Sequence, residues 1–178
     1  YMWGPSNSEL EPENLVNYEI SASQWLLDRR LSLELNLYYI KGRNTIIATP
    51  KADPTARPNW YFANTGEIEN YGLEFTADYR ILSNLNINAN YSYLHMEHEI
   101  AASPEHKFYT GMDYFVNKWT FGVGLQYVHN LVTQAYDLIN NLPLEKDSFA
   151  NLSARVTFKA VKWLDVFVRG ENLLDRDY

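Results

Sequence analysis

Apolar and polar residues alternate along most of this chain with a period of two. Over residues 31–39, Leu31, Leu33, Leu35, Leu37 and Tyr39 are interleaved with Ser32, Glu34 and Asn36. Over 85–93, Leu85, Ile87, Ala89, Tyr91 and Tyr93 are set against Asn86, Asn88, Asn90 and Ser92. Residues 71–80 oppose Tyr71, Leu73, Phe75, Ala77 and Tyr79 to Gly72, Glu74, Thr76, Asp78 and Arg80, and residues 150–160 repeat the pattern from Ala150 to Ala160. Such alternation predicts strands with one apolar and one wet face. Segments 15–26, 107–116, 119–129 and 163–172 follow it less strictly. The expectation is eight strands and no helix.

The connections expected between them alternate in length. Residues 27–30, 81–84, 117–118 and 161–162 are short, whereas 48–63, 99–106 and 135–147 are long. An up-and-down sheet with tight turns on one rim and long loops on the other sorts its connections this way, as transmembrane β-barrels do. The polar faces hold Asn, Ser, Thr and Gly where a soluble surface would carry mixed Lys and Glu. Aromatic residues (Trp25, Tyr38, Tyr39, Tyr93, Trp119, Tyr127 and Trp163) fall near strand ends, where interfacial girdles sit. The competing architecture is a soluble antiparallel β-sandwich that binds carbohydrate on Tyr and Trp platforms. The two differ in what covers the apolar faces: lipid in a barrel, a second sheet in a sandwich.

Composition narrows the function classes. The chain has 178 residues, enough for one domain, and no cysteine, so disulfides and thiolate chemistry are excluded. A formal net charge of -7 argues against nucleic acid as a partner. Residues Tyr1–Pro5 have neither the basic nor the apolar region of a signal peptide. No run of 18 apolar residues predicts a transmembrane helix, which leaves transmembrane strands open.

Several strings carry a family resemblance. Asn64-Thr65-Gly66 followed by Tyr71-Gly72-Leu73-Glu74 resembles the N-x-G…x-G-hydrophobic-E stretch of TonB-dependent outer-membrane receptors. Leu10-Glu11-Pro12-Glu13 with Tyr18-Glu19 resembles an earlier strand opening in those barrels, and Tyr91-Ser92-Tyr93 and Pro104-Glu105-His106-Lys107 the strand and loop exit that follow. Glu171-Asn172-Leu173-Leu174-Asp175 with Tyr178 resembles the string near the family's C-terminus. The resemblance implies an all-β, antiparallel up-and-down transmembrane barrel of 22 strands around an N-terminal plug, of which residues 1–178 supply about eight strands. It also implies that the plug and the final strand lie outside this segment. The implied function is TonB-energised uptake of an iron–siderophore complex, cobalamin or haem across the outer membrane of a Gram-negative bacterium. The implied partners are the receptor's own plug, the TonB complex reached through it, outer-membrane lipid, and a small-molecule or metal-chelate ligand at the outer loops. No enzyme activity and no resident cofactor follow from it. Short first and last connections place both chain ends on the outer rim, as expected of a barrel segment.

Candidate site residues fall into two sets. His95 and His98, three apart at a strand end, point to opposite faces and cannot chelate one ion locally. His98 and His106 are the pair that a loop site would use, and the aromatic run Trp60-Tyr61-Phe62 in the longest loop is the best substrate-contact candidate. The alternatives are solvated histidines and aromatics packed on a neighbouring loop. Acid pairs Glu67/Glu69, Glu97/Glu99 and Asp175/Asp177 lack any accompanying catalytic motif and read as solvated rim charges. The second set is the polar strand face: Glu34, Asn36, Glu74, Asp78, Asn88, Arg155 and Arg169, with Asn86, Asn90, Lys159 and Asp165 beside them. In a wide barrel these face the lumen and the plug.

Overall fold

The computed structural model describes residues 7–53, 55–97, 99–134 and 144–176. Among them the alternating segments form eight strands: β1 (Asn14–Leu26), β2 (Leu31–Pro50), β3 (Trp60–Leu82), β4 (Leu85–Met96), β5 (Pro104–Val116), β6 (Trp119–Gln134), β7 (Glu145–Val161) and β8 (Leu164–Gly170). Every strand pairs antiparallel with its chain neighbours, giving one meander in the order β1 to β8.

Register converts the alternation into two faces. One row across the sheet reads Ile20, Leu37, Leu73, Tyr93, His106 and His129. The adjacent row reads Ser21, Asn36, Glu74, Ser92 and Lys107 and lies on the opposite face. The apolar face is bare. Ile20 is 74% exposed, Leu37 44% and Val168 76%, while the buried apolar side chains among the described residues are Ala63, Val128 and Val132. The accessible surface is 13022 Å², against about 9,000 Å² for a compact soluble protein of this mass. Among the described residues no second sheet covers the apolar face, which does not favour the sandwich alternative.

Aromatic rings mark both ends of the apolar face. Toward the long connections Tyr71 stacks on His95 with ring centres 4.6 Å apart, Tyr93 lies 5.0 Å from His106, and Tyr18 lies 6.3 Å from Tyr39. Toward the short turns Trp119 lies 4.6 Å from Phe158. Along β6 the stretch from Trp119 to Tyr127 is nine residues, within the roughly 9–11 that cross a bilayer when tilted. Two aromatics leave the expected girdle. Trp25 pairs with Ser32, and Tyr38 pairs with Gly72, both on the polar face. Their parity along the strand decides this: Trp25 is in step with Ser21 and Ser23, and Tyr38 with Glu34 and Asn36.

The strands run further toward the long connections than the alternation suggested. β2 and β3 have 20 and 23 residues and shrink the expected 48–63 loop to 51–59. Register shifts between Gly42 and Thr45, and between Thr45 and Ile46, interrupt the ladder. A bulge of this kind breaks the period of two, so the pattern read from residues 31–39 cannot be followed through it.

Candidate functional site

The polar face brings together all seven of its sequence candidates. A groove of ≈ 400 Å³ at the short-turn end is bordered by Trp25, Arg30, Glu34, Asp78, Asn88 and Asp113. A second, of ≈ 270 Å³, is bordered by Ser21, Asn36, Glu74 and Thr76. Arg155 and Arg169 border a third of ≈ 180 Å³, with Tyr109 and Gly124. The amides cross-link neighbouring strands: Ser21 donates to Asn36 at 2.9 Å, and Thr76 to Asn90 at 3.1 Å. The Arg155 guanidinium lies 4.3 Å over the Phe167 ring. Sequence reading missed Tyr109, whose hydroxyl covers Gly111 and Gly124. Its place in step with Lys107 and Asp113 was the available signal.

The loop candidates are placed differently from expectation. Trp60, Tyr61 and Phe62 open β3, paired with Pro50, Thr49 and Ala48, so they belong to a strand and not to the loop. Trp60 and Phe62 meet edge to face at 5.2 Å, and Asn7 donates from its side chain to the Phe62 carbonyl at 2.9 Å. His106 is likewise on a strand, pairing with Tyr93 and His129. Its ring joins the aromatic band of the apolar face, with Nδ1 2.8 Å from the Tyr91 hydroxyl. His98 lies outside the described residues. β4 ends opposite Asn70, ten residues short of Trp60 along β3. That is about 33 Å of strand, so the structure does not join the aromatic run to His106.

In the loop itself, Asp53 Oδ1 accepts hydrogen bonds from the Thr55 amide at 2.8 Å and the Thr55 hydroxyl at 2.7 Å. These bonds hold its carboxyl below the ordinary carboxylate range.

Several motif residues meet where β2 and β3 approach the 51–59 connection. Asn64 Nδ2 donates to the Glu11 carbonyl at 2.8 Å and the Asn44 carbonyl at 2.7 Å, and its Oδ1 accepts from the Glu11 amide at 2.8 Å. The register shift at Thr45 and Ile46 frees the Ile46 amide, which Glu13 Oε1 accepts at 2.7 Å. A side chain on Gly66 would lie 2.9 Å from the Thr45 carbonyl. At the other end Asn172, at φ 51°, accepts from the Arg176 amide at 3.1 Å and donates to the Arg176 carbonyl at 3.0 Å. Of the strings noted in the sequence, those around Asn64, Glu11–Glu13 and Asn172 thus lie where strands leave the regular ladder, whereas Tyr71–Glu74 and Tyr91–Tyr93 lie within it. No group of three or more potential metal ligands occurs among the described residues.

One comparison decides the assignment. The family model described as "TonB dependent receptor-like, beta-barrel" matches residues 1–173. The chain belongs to this family. It is 31% identical over 99 residues to the iron-regulated outer membrane virulence protein of Vibrio cholerae serotype O1, covering 51% of this chain and 15% of that protein. It is 30% identical over 92 residues to the probable TonB-dependent siderophore receptor PiuA of Acinetobacter baumannii, covering 52% of this chain and 11% of that receptor. Among solved structures, the copper transporter OprC superposes with a TM-score of 0.77 at 17% identity, covering 96% of this chain and 26% of that one. The crystal structure of PiuA gives 0.68 at 21% identity, covering 91% of this chain and 24% of that one. The segment therefore spans about a quarter of the length of the solved chains it superposes on. Its eight strands are barrel wall in the outer membrane of a Gram-negative bacterium, and the family is one of receptors and transporters, not of enzymes.

Proposed function

We propose that this wall belongs to a receptor that imports an iron–siderophore complex under TonB control. Within the broader class that includes cobalamin and haem, iron–siderophore uptake is favoured because the relatives named above are described as iron-regulated and as a siderophore receptor. The observation that carries the reading is the match of the family model over residues 1–173 of a sheet with one apolar and one polar face; on this reading the apolar face meets lipid and the polar face lines the lumen.

On this reading the receptor's own plug fills the lumen against Glu34, Asn36, Glu74, Asp78, Asn88, Arg155 and Arg169, and passes the TonB force inward. Trp60, Tyr61 and Phe62 stand where β2 and β3 rise beyond the rest of the sheet, a position suited to meeting ligand before it enters. On this reading His106, whose strand parity matches Phe108 and Met112, turns to the lipid side and away from the ligand path.

The test uses the full-length receptor in its own cells under iron limitation. Uptake of labelled ferric siderophores, with haem and cobalamin as separate arms, is measured in the deletion strain and after complementation. Siderophore-dependent uptake that needs both the receptor and TonB is the expected result. Uptake of cobalamin or haem alone would replace the iron reading while leaving the family assignment intact.

A further inference from the structure

The short turns joining β5 to β6 and β7 to β8 carry a local excess of positive charge. Residues 114–121 and 156–164 hold Lys118, Lys159 and Lys162 and no acidic residue, in a chain whose formal net charge is -7. The other short turns differ. Residues 83 and 84 are Ser83 and Asn84, and Asp28 accompanies Arg29 and Arg30, which border the polar-face groove together with Asp78. Lys159 has Asp165 as its strand partner and shares the parity of Arg155, so it belongs to the polar face. Lys118 and Lys162 lie in the turns themselves.

These two lysines are neighbours. The Lys159 amide donates to the Lys118 carbonyl at 2.8 Å, which ties the first turn to β7 just before the second. Lys118 Nζ lies 3.4 Å from the Ala160 carbonyl and 5.9 Å from the centre of the Phe158 ring, beside the face that Phe158 shares with Trp119. Lys162 follows two residues after Ala160, about 7 Å of extended chain. One phosphodiester is therefore within reach of both side chains. Among the described residues no ion pair engages Lys118 or Lys162, whereas at the opposite end of the sheet Lys41 lies 4.0 Å from Glu69. Directly beyond the lysines the surface is apolar and open. Trp119, Phe121 and Val123 are exposed in a stripe that runs along β6 away from the turns, and Trp163, next to Lys162, is 83% exposed.

We propose that this corner of the sheet binds an anionic phospholipid, with its phosphodiester between Lys118 and Lys162 and an acyl chain along the stripe from Trp119 to Val123. A soluble anion would meet the charge and leave the stripe bare. A lipid with a net-neutral headgroup would cover the stripe and leave the two ammonium groups without a counter-charge. An anionic phospholipid meets both, and basic side chains near an anionic membrane surface gain from that attraction. Indole rings at both turns suit the same depth, since Trp is favoured at the membrane–water boundary. This inference rests on the reading that the apolar face meets lipid.

The test uses the full-length receptor in detergent, titrated separately with phosphatidylglycerol and phosphatidylcholine of the same acyl chains, with bound lipid counted by native mass spectrometry. Wild type should bind phosphatidylglycerol more tightly. Lys118→Gln/Lys162→Gln should reduce that preference at least about tenfold. Lys118→Arg/Lys162→Arg should keep it, and so should Lys41→Gln/Lys51→Gln, which removes the same charge toward the other end of the sheet. Heat-modifiable mobility establishes that each variant folds. Should the first double variant not fold, Lys162→Gln alone should still lose part of the preference. Equal affinity of wild type for the two lipids, or an equal loss in Lys41→Gln/Lys51→Gln, overturns the proposal. Chain-free glycerophosphoglycerol that binds as tightly as phosphatidylglycerol also overturns it, since the occupant would then be a soluble anion. A nitroxide on Val123→Cys in liposomes tests the face separately. Relaxation by oxygen is expected, and relaxation by a water-soluble agent instead would overturn the lipid reading of the apolar face itself.

Discussion

Asn64 and Glu11 are joined at both ends of one peptide residue. The Asn64 amide donates to the Glu11 carbonyl at 2.8 Å and accepts from the Glu11 amide at 2.8 Å, although 53 positions separate them in the chain. A side-chain amide carries one donor end and one acceptor end, so it can replace a strand neighbour for a single residue. It does so where β2 is bulged and cannot supply that neighbour itself. Asn172 and Arg176 repeat the arrangement past the end of β8.

Asn64→Ala removes three bonds at once and should lower the stability of the full-length barrel by about 1–3 kcal/mol. Asn64→Asp keeps the acceptor and loses the donors, so it should fall between. Unfolding midpoints in urea, with Glu67→Ala as comparison, check this order. Equal midpoints for Asn64→Ala and Glu67→Ala would remove the clamp.

Leu37→Arg or Ala89→Arg places a charge on the lipid face and should cost roughly 2–4 kcal/mol near the bilayer midplane. Asn36→Arg, one residue away on the lumen face, should be far milder. Outer-membrane assembly assays of the four proteins, wild type included, give the comparison. Similar losses for Leu37→Arg and Asn36→Arg would contradict the assignment of faces.

Gly72→Ala should be poorly tolerated. A Cβ there would lie 2.2 Å from the Tyr93 carbonyl and 2.4 Å from the Tyr38 hydroxyl. Overpacking of this kind costs about 1–3 kcal/mol. Truncating Tyr38 in the same protein should recover only part of the loss, because the tighter contact is backbone. Full recovery in Gly72→Ala/Tyr38→Ala would show that the side chain alone sets the constraint.

The Asp53–Thr55 turn should depend on pH. The folded carboxyl is held below its ordinary value by two hydrogen bonds from Thr55. Its contribution is therefore complete above the ordinary carboxylate pKa and is lost as pH falls through the depressed folded value. Protease cleavage within 51–59 should rise over that acid range in wild type. In Asp53→Asn it should be raised already at neutral pH and show little further change. A flat wild-type profile would contradict the turn's ionic character.

Residues 1–178 expressed alone should not give a stable monomeric pore. β1 and β8 are both edges of the sheet, and every residue of β1 is exposed. Unpaired backbone groups cost several kcal/mol each in lipid, so edges should pair with another copy or drive aggregation. Refolding in detergent followed by size measurement and heat-modifiable mobility tests this. A compact monomer with a stable mobility shift would contradict it.

Much of this protein is legible in its order of residues. The period of two from Leu31 to Tyr39 and from Leu85 to Tyr93 assigns faces without any tertiary information, since successive strand side chains must point to opposite sides. The same parity already held the positions of Trp25, Tyr38 and His106, because orientation within an unbroken strand is a local property. Parity stops being readable at the bulge between Gly42 and Ile46, where the ladder shifts and the faces must be counted afresh. Only the tertiary structure could therefore extend β2 to Pro50 and β3 back to Trp60, turning a supposed ligand loop into paired strand. It alone brought Asn64 to Glu11, and it alone showed that among the described residues no sheet covers the apolar face. Those three facts depend on which distant segments share a neighbourhood, and local alternation carries no information about distant neighbours.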